Sequence, residues 1–129
     1  MFIDSVDEQI ALDIPTSARL HNLFANITRK VTARPAYYKA VMAELELDWT
    51  QPDISKARLD RFHDALERLV EAGVIQGDVR ADYEPDLLAQ IIGAAYWSVL
   101  RGWRLDPEID LARRFTDAGR FLAGALLPS

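Results

Sequence analysis

Cysteine is absent from this chain of 129 residues, and the absence removes several classes of chemistry. Disulfide bonds, thiolate nucleophiles, cysteine-ligated zinc and iron–sulfur clusters all require a thiol. Histidine is scarce as well, with only His21 and His63 in the sequence. These two lie far apart in the chain and match no recognised metal-ligand spacing. We therefore predict neither a metal site nor a cofactor.

Positive charge and long apolar runs are also lacking. Fifteen lysines and arginines stand against 20 acidic residues, for a net charge of −5, and no basic cluster suited to phosphate contacts is evident. The longest apolar stretch, residues 87–100, contains Gln90 and Ser98 and is too short for a bilayer span. The first 15 residues carry acidic side chains where a signal peptide has basic ones. We expect a soluble, cytoplasmic protein that binds no membrane.

Catalytic motifs are missing too. The sequence has no glycine-rich phosphate loop, no Gly-x-Ser-x-Gly turn and no His-Glu-x-x-His pair, so we predict that the protein is not an enzyme. Glu44, Glu46 and Asp48 are spaced by two, which turns their side chains apart on a helix, and they predict a solvated helix end. His63 lies one helical turn before Glu67, which predicts either a boundary ion pair or a hydrogen-bond donor to a ligand.

Apolar residues recur at helical spacing along most of the chain, and no long stretch alternates with period two. The sequence thus predicts an all-α bundle of five to six helices, in one domain over residues 15–129. The expected helices run from Thr16 to Ala33, from Pro35 to 48–51, from 53–55 to a stop at Gly73, from Pro85 to Arg104, and from Asp106-Pro107 to Leu126. Residues 1–14 form an N-terminal segment that is either frayed or the end of a linking helix. On the first main helix, Arg19 falls on the side predicted to face solvent.

The last two helices are more apolar than a surface helix requires. On the first of them, the apolar arc is about 220° wide, whereas a stripe of about 100° suffices for one buried face. A second copy of the chain is the simplest partner for the remaining surface, and a two-fold pair would form a four-helix bundle. The alternative is that both helices are central in a monomer. The predicted interface residues are Ile92, Tyr96, Val99, Trp103, Phe115, Gly119 and Leu122.

Aromatic residues are dense in the first four main helices, and such residues either fill a core or line a ligand cavity. The set comprises Phe24, Tyr37, Tyr38, Trp49, Phe62, Tyr96 and Trp97. The predicted ligand-binding residues are Phe24, Tyr38, Met42, Phe62, His63 and Trp97. Trp97 falls near the polar strip of its helix, so it either closes the pocket or meets another chain.

The stretch 69–89 ends a helix in a glycine-bounded turn, continues with Gly77-Asp78-Val79-Arg80 and starts a new helix with Glu84-Pro85-Asp86. With the helix start at 15–20 and the break at Arg34-Pro35, this pattern resembles the C-terminal regulatory domain of TetR-family transcriptional repressors over about residues 15–126. The resemblance implies a homodimeric sensor of a small apolar or aromatic effector. It also implies that DNA is bound only through an N-terminal module that is missing from this chain. The alternative is an all-α dimeric interaction module without a small ligand.

Overall fold

Six helices make up the part of the chain that the computed structural model describes, which is residues 2–48 and 52–128 without the side chains of 47, 48 and 52–55. They are α1 (Phe2–Ile10), α2 (Thr16–Ala33), α3 (Pro35–Asp48), α4 (Pro52–Gln76), α5 (Pro85–Leu105) and α6 (Leu111–Leu126). No strand occurs over these residues, so the predicted all-α bundle is confirmed. The N-terminal segment is helical.

The bundle is built from two helix pairs and a helix that joins them. α2 packs along α6 and α4 packs along α5, while α1 lies against both α2 and α4. α5 also contacts α6, which closes the bundle. Val6 of α1 is fully buried, so the N-terminal helix belongs to the same core as the rest. α3 is peripheral, because its contacts with α2 and α4 are much less extensive than those within the α2–α6 and α4–α5 pairs.

Arg19 is only 4% exposed, and its side chain binds the end of α1. Its Nε donates to the carbonyl of Gln9 at 3.0 Å, and its Nη2 donates to the carbonyls of Ile10 and Leu12 at 3.1 and 2.9 Å. A helix leaves its last carbonyls without partners and carries partial negative charge there, so a guanidinium suits this position. The prediction that Arg19 faces solvent is wrong, because its acceptors come from a different helix.

The turn after α4 closes that helix and caps α2. Gly77 has a φ of +92°, and the N–H of Asp78 donates to the carbonyl of Gly73 at 3.1 Å, which is a Schellman-type helix end. The Asp78 carboxylate then accepts hydrogen bonds from the backbone N–H and the hydroxyl of Thr16, at 2.7 and 2.8 Å. A carboxylate at this position satisfies free donors at the start of a helix. α2 is thus capped by a residue from a distant part of the sequence.

Arg80, two residues further on, binds the end of α6. Its backbone N–H donates to the carbonyl of Leu126 at 2.7 Å, and its Nη1 donates to the carbonyl of Ala125 at 3.3 Å. Asp82 holds the guanidinium through two hydrogen bonds of 2.7 Å, and these bonds lower the pKa of the Asp82 carboxyl. The four residues 77–80 therefore join the ends of three helices.

Three predicted helix boundaries are wrong, and the first is the start of α4, which begins at Pro52 and not at 53–55. α4 continues past Gly73 to Gln76, and Gly73 is needed inside the helix because a Cβ there would collide with the side chains of Val79 and Thr16. α6 begins at Leu111 instead of at Asp106-Pro107, which form a turn. The side chain that caps α6 is that of Asp110, which accepts from the N–H of Arg113 at 3.2 Å.

Replacing Arg19 with methionine keeps an unbranched stem and removes the donors. We expect the free energy of unfolding to fall by about 2–3 kcal/mol, because buried carbonyls lose charged hydrogen-bond partners. Urea unfolding followed by circular dichroism measures the change. Arg29→Met, at an exposed position of the same helix, is the matched control and should change stability by less than about 0.5 kcal/mol. Equal effects of the two substitutions would contradict the role assigned to Arg19.

Candidate site: a cavity between α3 and an aromatic cluster

Six aromatic rings from five helices meet in one cluster centred on Tyr96. The Tyr96 ring centroid lies 5.0 Å from that of Phe2, 6.4 Å from Phe24, 5.3 Å from Phe62, 5.3 Å from Trp97 and 5.9 Å from Phe115. Tilted and edge-on contacts at such separations are favourable for aromatic pairs. Each ring is on the inward face of its helix, and the cluster holds α1, α2, α4, α5 and α6 together. Burial raises the pKa of the Tyr96 phenol above its ordinary value of 10.0.

A cavity of about 190 Å³ lies between this cluster and α3. Five helices contribute to its wall, which is mainly apolar. The lining residues are Phe2 and Ser5 of α1; Leu23, Asn26, Ile27, Lys30 and Val31 of α2; Tyr38, Val41, Met42 and Leu45 of α3; Phe62 of α4; and Tyr96, Trp97 and Leu100 of α5. An apolar cavity with a few polar groups is the usual form of a small-molecule site.

Four of the six predicted ligand-binding residues line this cavity, namely Tyr38, Met42, Phe62 and Trp97. The other two lie elsewhere. Phe24 is buried where α2 meets α6, under a surface groove between those helices. His63 borders an outer groove between α4 and α5, and its Nε2 lies 3.8 Å from Glu67 Oε2.

Other aromatic residues differ from the predictions in both directions. Tyr37 is half exposed on α3, and Trp49 lies outside the described residues. Phe2 lines the cavity but was not among the predicted site residues, although its spacing with Val6 and Ile10 was a usable helical signal. Tyr96 also lines the cavity, where the sequence had suggested a dimer contact.

α3 covers one side of the cavity and is attached to α5 by polar contacts. The Glu46 carboxylate pairs with Arg101, at 3.5 Å from its Nε, and with Nη2 of Arg104. The Lys39 ammonium lies 4.7 Å from the centroid of the Trp103 ring. The prediction of a solvated helix end is therefore wrong for Glu46, which is paired with two arginines of α5. Partly exposed ion pairs and cation–π contacts are each weak, so α3 is held less firmly than the core helices.

The indole nitrogen of Trp97 is an unpaired donor. It is buried and has no hydrogen-bond partner among the described residues. A buried N–H without an acceptor costs about 1–3 kcal/mol of stability. Trp97 lines both the cavity and the outer groove between α4 and α5.

The residues predicted for a dimer interface are mostly buried inside the single chain, which corrects their assignment. Ile92, Tyr96, Trp103, Phe115, Gly119 and Leu122 are buried, and Val99 is partly exposed. Such residues have almost no surface left for a second copy to cover. Much of the wide apolar arc of α5 is instead covered by α4 and α6 of the same chain, while Leu87 and Ile91 stay about half exposed.

Comparisons with protein-family models, with curated proteins and with solved structures found no match to this chain. Over the described residues, no three or more histidine and acidic side chains are grouped so that they could hold a metal ion. None of the helices in that part of the chain has the length and hydropathy needed to cross a membrane. The apolar cavity is therefore the feature on which a functional interpretation rests.

The burial of Tyr96 predicts a loss of stability in base. The unfolded chain releases the phenol proton near pH 10, whereas the folded chain keeps it, so the free energy of unfolding should fall above that pH by about 1.4 kcal/mol per pH unit. Urea unfolding between about pH 9 and pH 11 measures this slope. Tyr96→Phe should flatten the slope, and Tyr37→Phe, at a half-exposed position, should preserve it. An unchanged slope in Tyr96→Phe would contradict the assignment.

Proposed function

We propose that this chain is a sensory domain that binds a small aromatic compound in the cavity between α3 and the aromatic cluster. The cavity carries the proposal, because it is lined by aromatic and aliphatic side chains from five helices. Apolar cavities of about 150 Å³ hold a benzene-sized molecule, so a volume of about 190 Å³ suits a single substituted ring.

α3 provides the route by which a ligand reaches the cavity. Tyr38, Val41 and Met42 cover the site from this helix, and the polar contacts of Glu46 and Lys39 hold it in place. Opening the site then breaks weak surface contacts, whereas the rings of the cluster stay packed. The cavity side of α3 closes again once a ligand is inside.

A sensory role agrees with the resemblance to the regulatory domain of TetR-family repressors. Phe2 belongs both to the aromatic cluster and to the cavity wall, so a bound ligand contacts the N-terminal helix α1 directly. In a regulator of this kind, a DNA-binding module precedes the sensor in the chain. A ligand changes the conformational equilibrium of such a protein only if it binds more tightly when α1 is in one position than when it is in another.

We also propose that a second copy of the chain covers the exposed apolar face of α5 and α6. Leu87 and Ile91 of α5 are about half exposed, and Phe121 of α6 is 77% exposed. Single exposed apolar residues are common in proteins, but these lie on two helices that pack side by side across a short turn. Two such pairs form a four-helix bundle around a two-fold axis. A different protein partner on this face is the second candidate function.

Ligand binding is tested with α-methylstyrene, a hydrocarbon with one aromatic ring. We expect the melting temperature to rise with its concentration, because a ligand that binds only the folded state stabilises it by mass action. Val41→Phe fills the cavity from α3 and should abolish the rise. Ala40→Phe, at an exposed position of the same helix, is the matched control and should retain it. If the melting temperature of the wild-type protein does not change with ligand concentration, the proposed sensory function is contradicted.

Pairing is tested with Phe121→Glu, which places a charge on the exposed face of α6. We expect the wild-type chain to sediment as a dimer and Phe121→Glu as a folded monomer, because a charge at the centre of an apolar interface is costly to bury. Ile75→Glu, where the isoleucine is 88% exposed at the end of α4, is the control and should remain dimeric. A wild-type monomer in analytical ultracentrifugation would refute homodimerisation and leave the face to another protein.

A further inference from the structure

The polar residues of the cavity wall lie on two neighbouring helices, α1 and α2. Apart from its aromatic residues, the described part of the wall has three polar side chains, those of Ser5, Asn26 and Lys30. One helical turn away, α1 and α2 are joined by a hydrogen bond of 2.9 Å from Asn22 Nδ2 to Gln9 Oε1. None of the residues described in this wall is acidic, and Lys30 is its one charged residue. The site thus combines an apolar interior with a polar, positively charged end.

Lys30 lines the cavity and is exposed to solvent, so this residue marks an opening of the site. Lysine side chains commonly lay their methylene stem along apolar surface and keep the ammonium group in water. The ammonium of Lys30 forms no ion pair with a carboxylate of any described residue. Its positive charge is therefore available to a ligand whose polar end reaches the opening.

Asn26, one helical turn before Lys30, adds hydrogen-bond donors to the same end of the cavity. Its side-chain oxygen accepts a hydrogen bond from Nη2 of Arg29, which leaves the N–H groups of the Asn26 amide as donors. The Arg29 guanidinium also brings a second positive charge next to Asn26. Donors and positive charge at one end of an apolar cavity favour a ligand with an anionic acceptor group.

We propose that the ligand is an aromatic carboxylic acid, whose carboxylate pairs with Lys30 at the opening while its ring lies against Phe62 and Tyr96. This inference rests on the proposed function, since it requires an aromatic ligand in the cavity. A carboxylate at the opening keeps part of its hydration, whereas an unpaired charge deeper in the cavity is costly to bury. One lysine in the wall balances one negative charge, so a carboxylate fits better than a doubly charged phosphate.

Ligand pairs that differ in charge and not in shape test the proposal. Phenylacetate and hydrocinnamate carry a carboxylate one and two CH₂ groups from the ring, and their amides are neutral molecules of the same form. Isothermal titration calorimetry gives the Kd of each compound for the wild-type protein. We expect at least one acid to bind about threefold to tenfold more tightly than its amide, as for a charged hydrogen bond that water partly screens.

Three variants show whether Lys30 causes this preference. Lys30→Met keeps the stem and removes the ammonium, so the acid should lose its advantage over the amide. Lys30→Arg keeps a positive charge and should retain the preference. Lys56→Met, at an exposed position of α4 outside the cavity, changes the net charge equally and should also retain it. The Kd of α-methylstyrene should change by less than about twofold in all three variants, which shows that the cavity is intact.

The outcomes separate this inference from the proposed function. If α-methylstyrene binds but neither acid binds more tightly than its amide, the carboxylate proposal is refuted and the sensory function stands. A preference for the acid that persists in Lys30→Met refutes the role of Lys30. If the hydrocarbon, the acids and the amides all fail to bind, both proposals fail. A preference that is lost in Lys30→Met and kept in Lys56→Met supports both.

Discussion

The hydrogen bonds from Arg19 to the last carbonyls of α1 determine where that helix lies, and the cavity depends on its position. α1 supplies Phe2 to the ring cluster and Val6 to the core. A helix of this length is marginal by itself, so its place is set by contacts with α2 and α4. The buried guanidinium is compensated through its Nε and Nη2, which donate to carbonyl oxygens, while its Nη1 has no partner among the described residues. This contact therefore helps to hold the helix that supplies Phe2 to the wall of the proposed ligand site.

The turn at residues 77–80 has a structural explanation that is independent of any function. Gly77 allows the left-handed end of α4, Asp78 caps α2, and Arg80 binds the end of α6. These are the same residues that carry the resemblance to the regulatory domains of TetR-family repressors. A motif that joins three helix ends indicates a fold more directly than an activity, and many functions share one fold. The sensory proposal therefore depends on the cavity, and the resemblance supplies its context.

The aromatic cluster and α3 form two sides of the proposed site, and they differ in how firmly they are held. The rings around Tyr96 lock five helices into one core, while α3 is attached through partly exposed charges such as Glu46 and Arg101. A firm wall on one side provides defined contacts for a ligand, mainly from aromatic rings such as Phe62 and Tyr96. A weakly held cover on the other side permits exchange without unfolding the core.

The helical class, the bounds of α2 and the first residue of α5 could be predicted from the sequence, because apolar spacing and a first-turn proline are local signals. Tyr38, Met42, Phe62 and Trp97 are among the residues predicted to bind a ligand, and all four line the cavity. Helical apolar spacing indicates the first three, whereas Trp97 is indicated by its place near the polar strip of its helix. The three-dimensional packing was needed to show that α4 and α6 cover much of the apolar arc of α5 and that Arg19 is buried. Periodicity shows which face of a helix is apolar and will be buried. The segment that buries this face is distant in sequence, so the local pattern does not identify it.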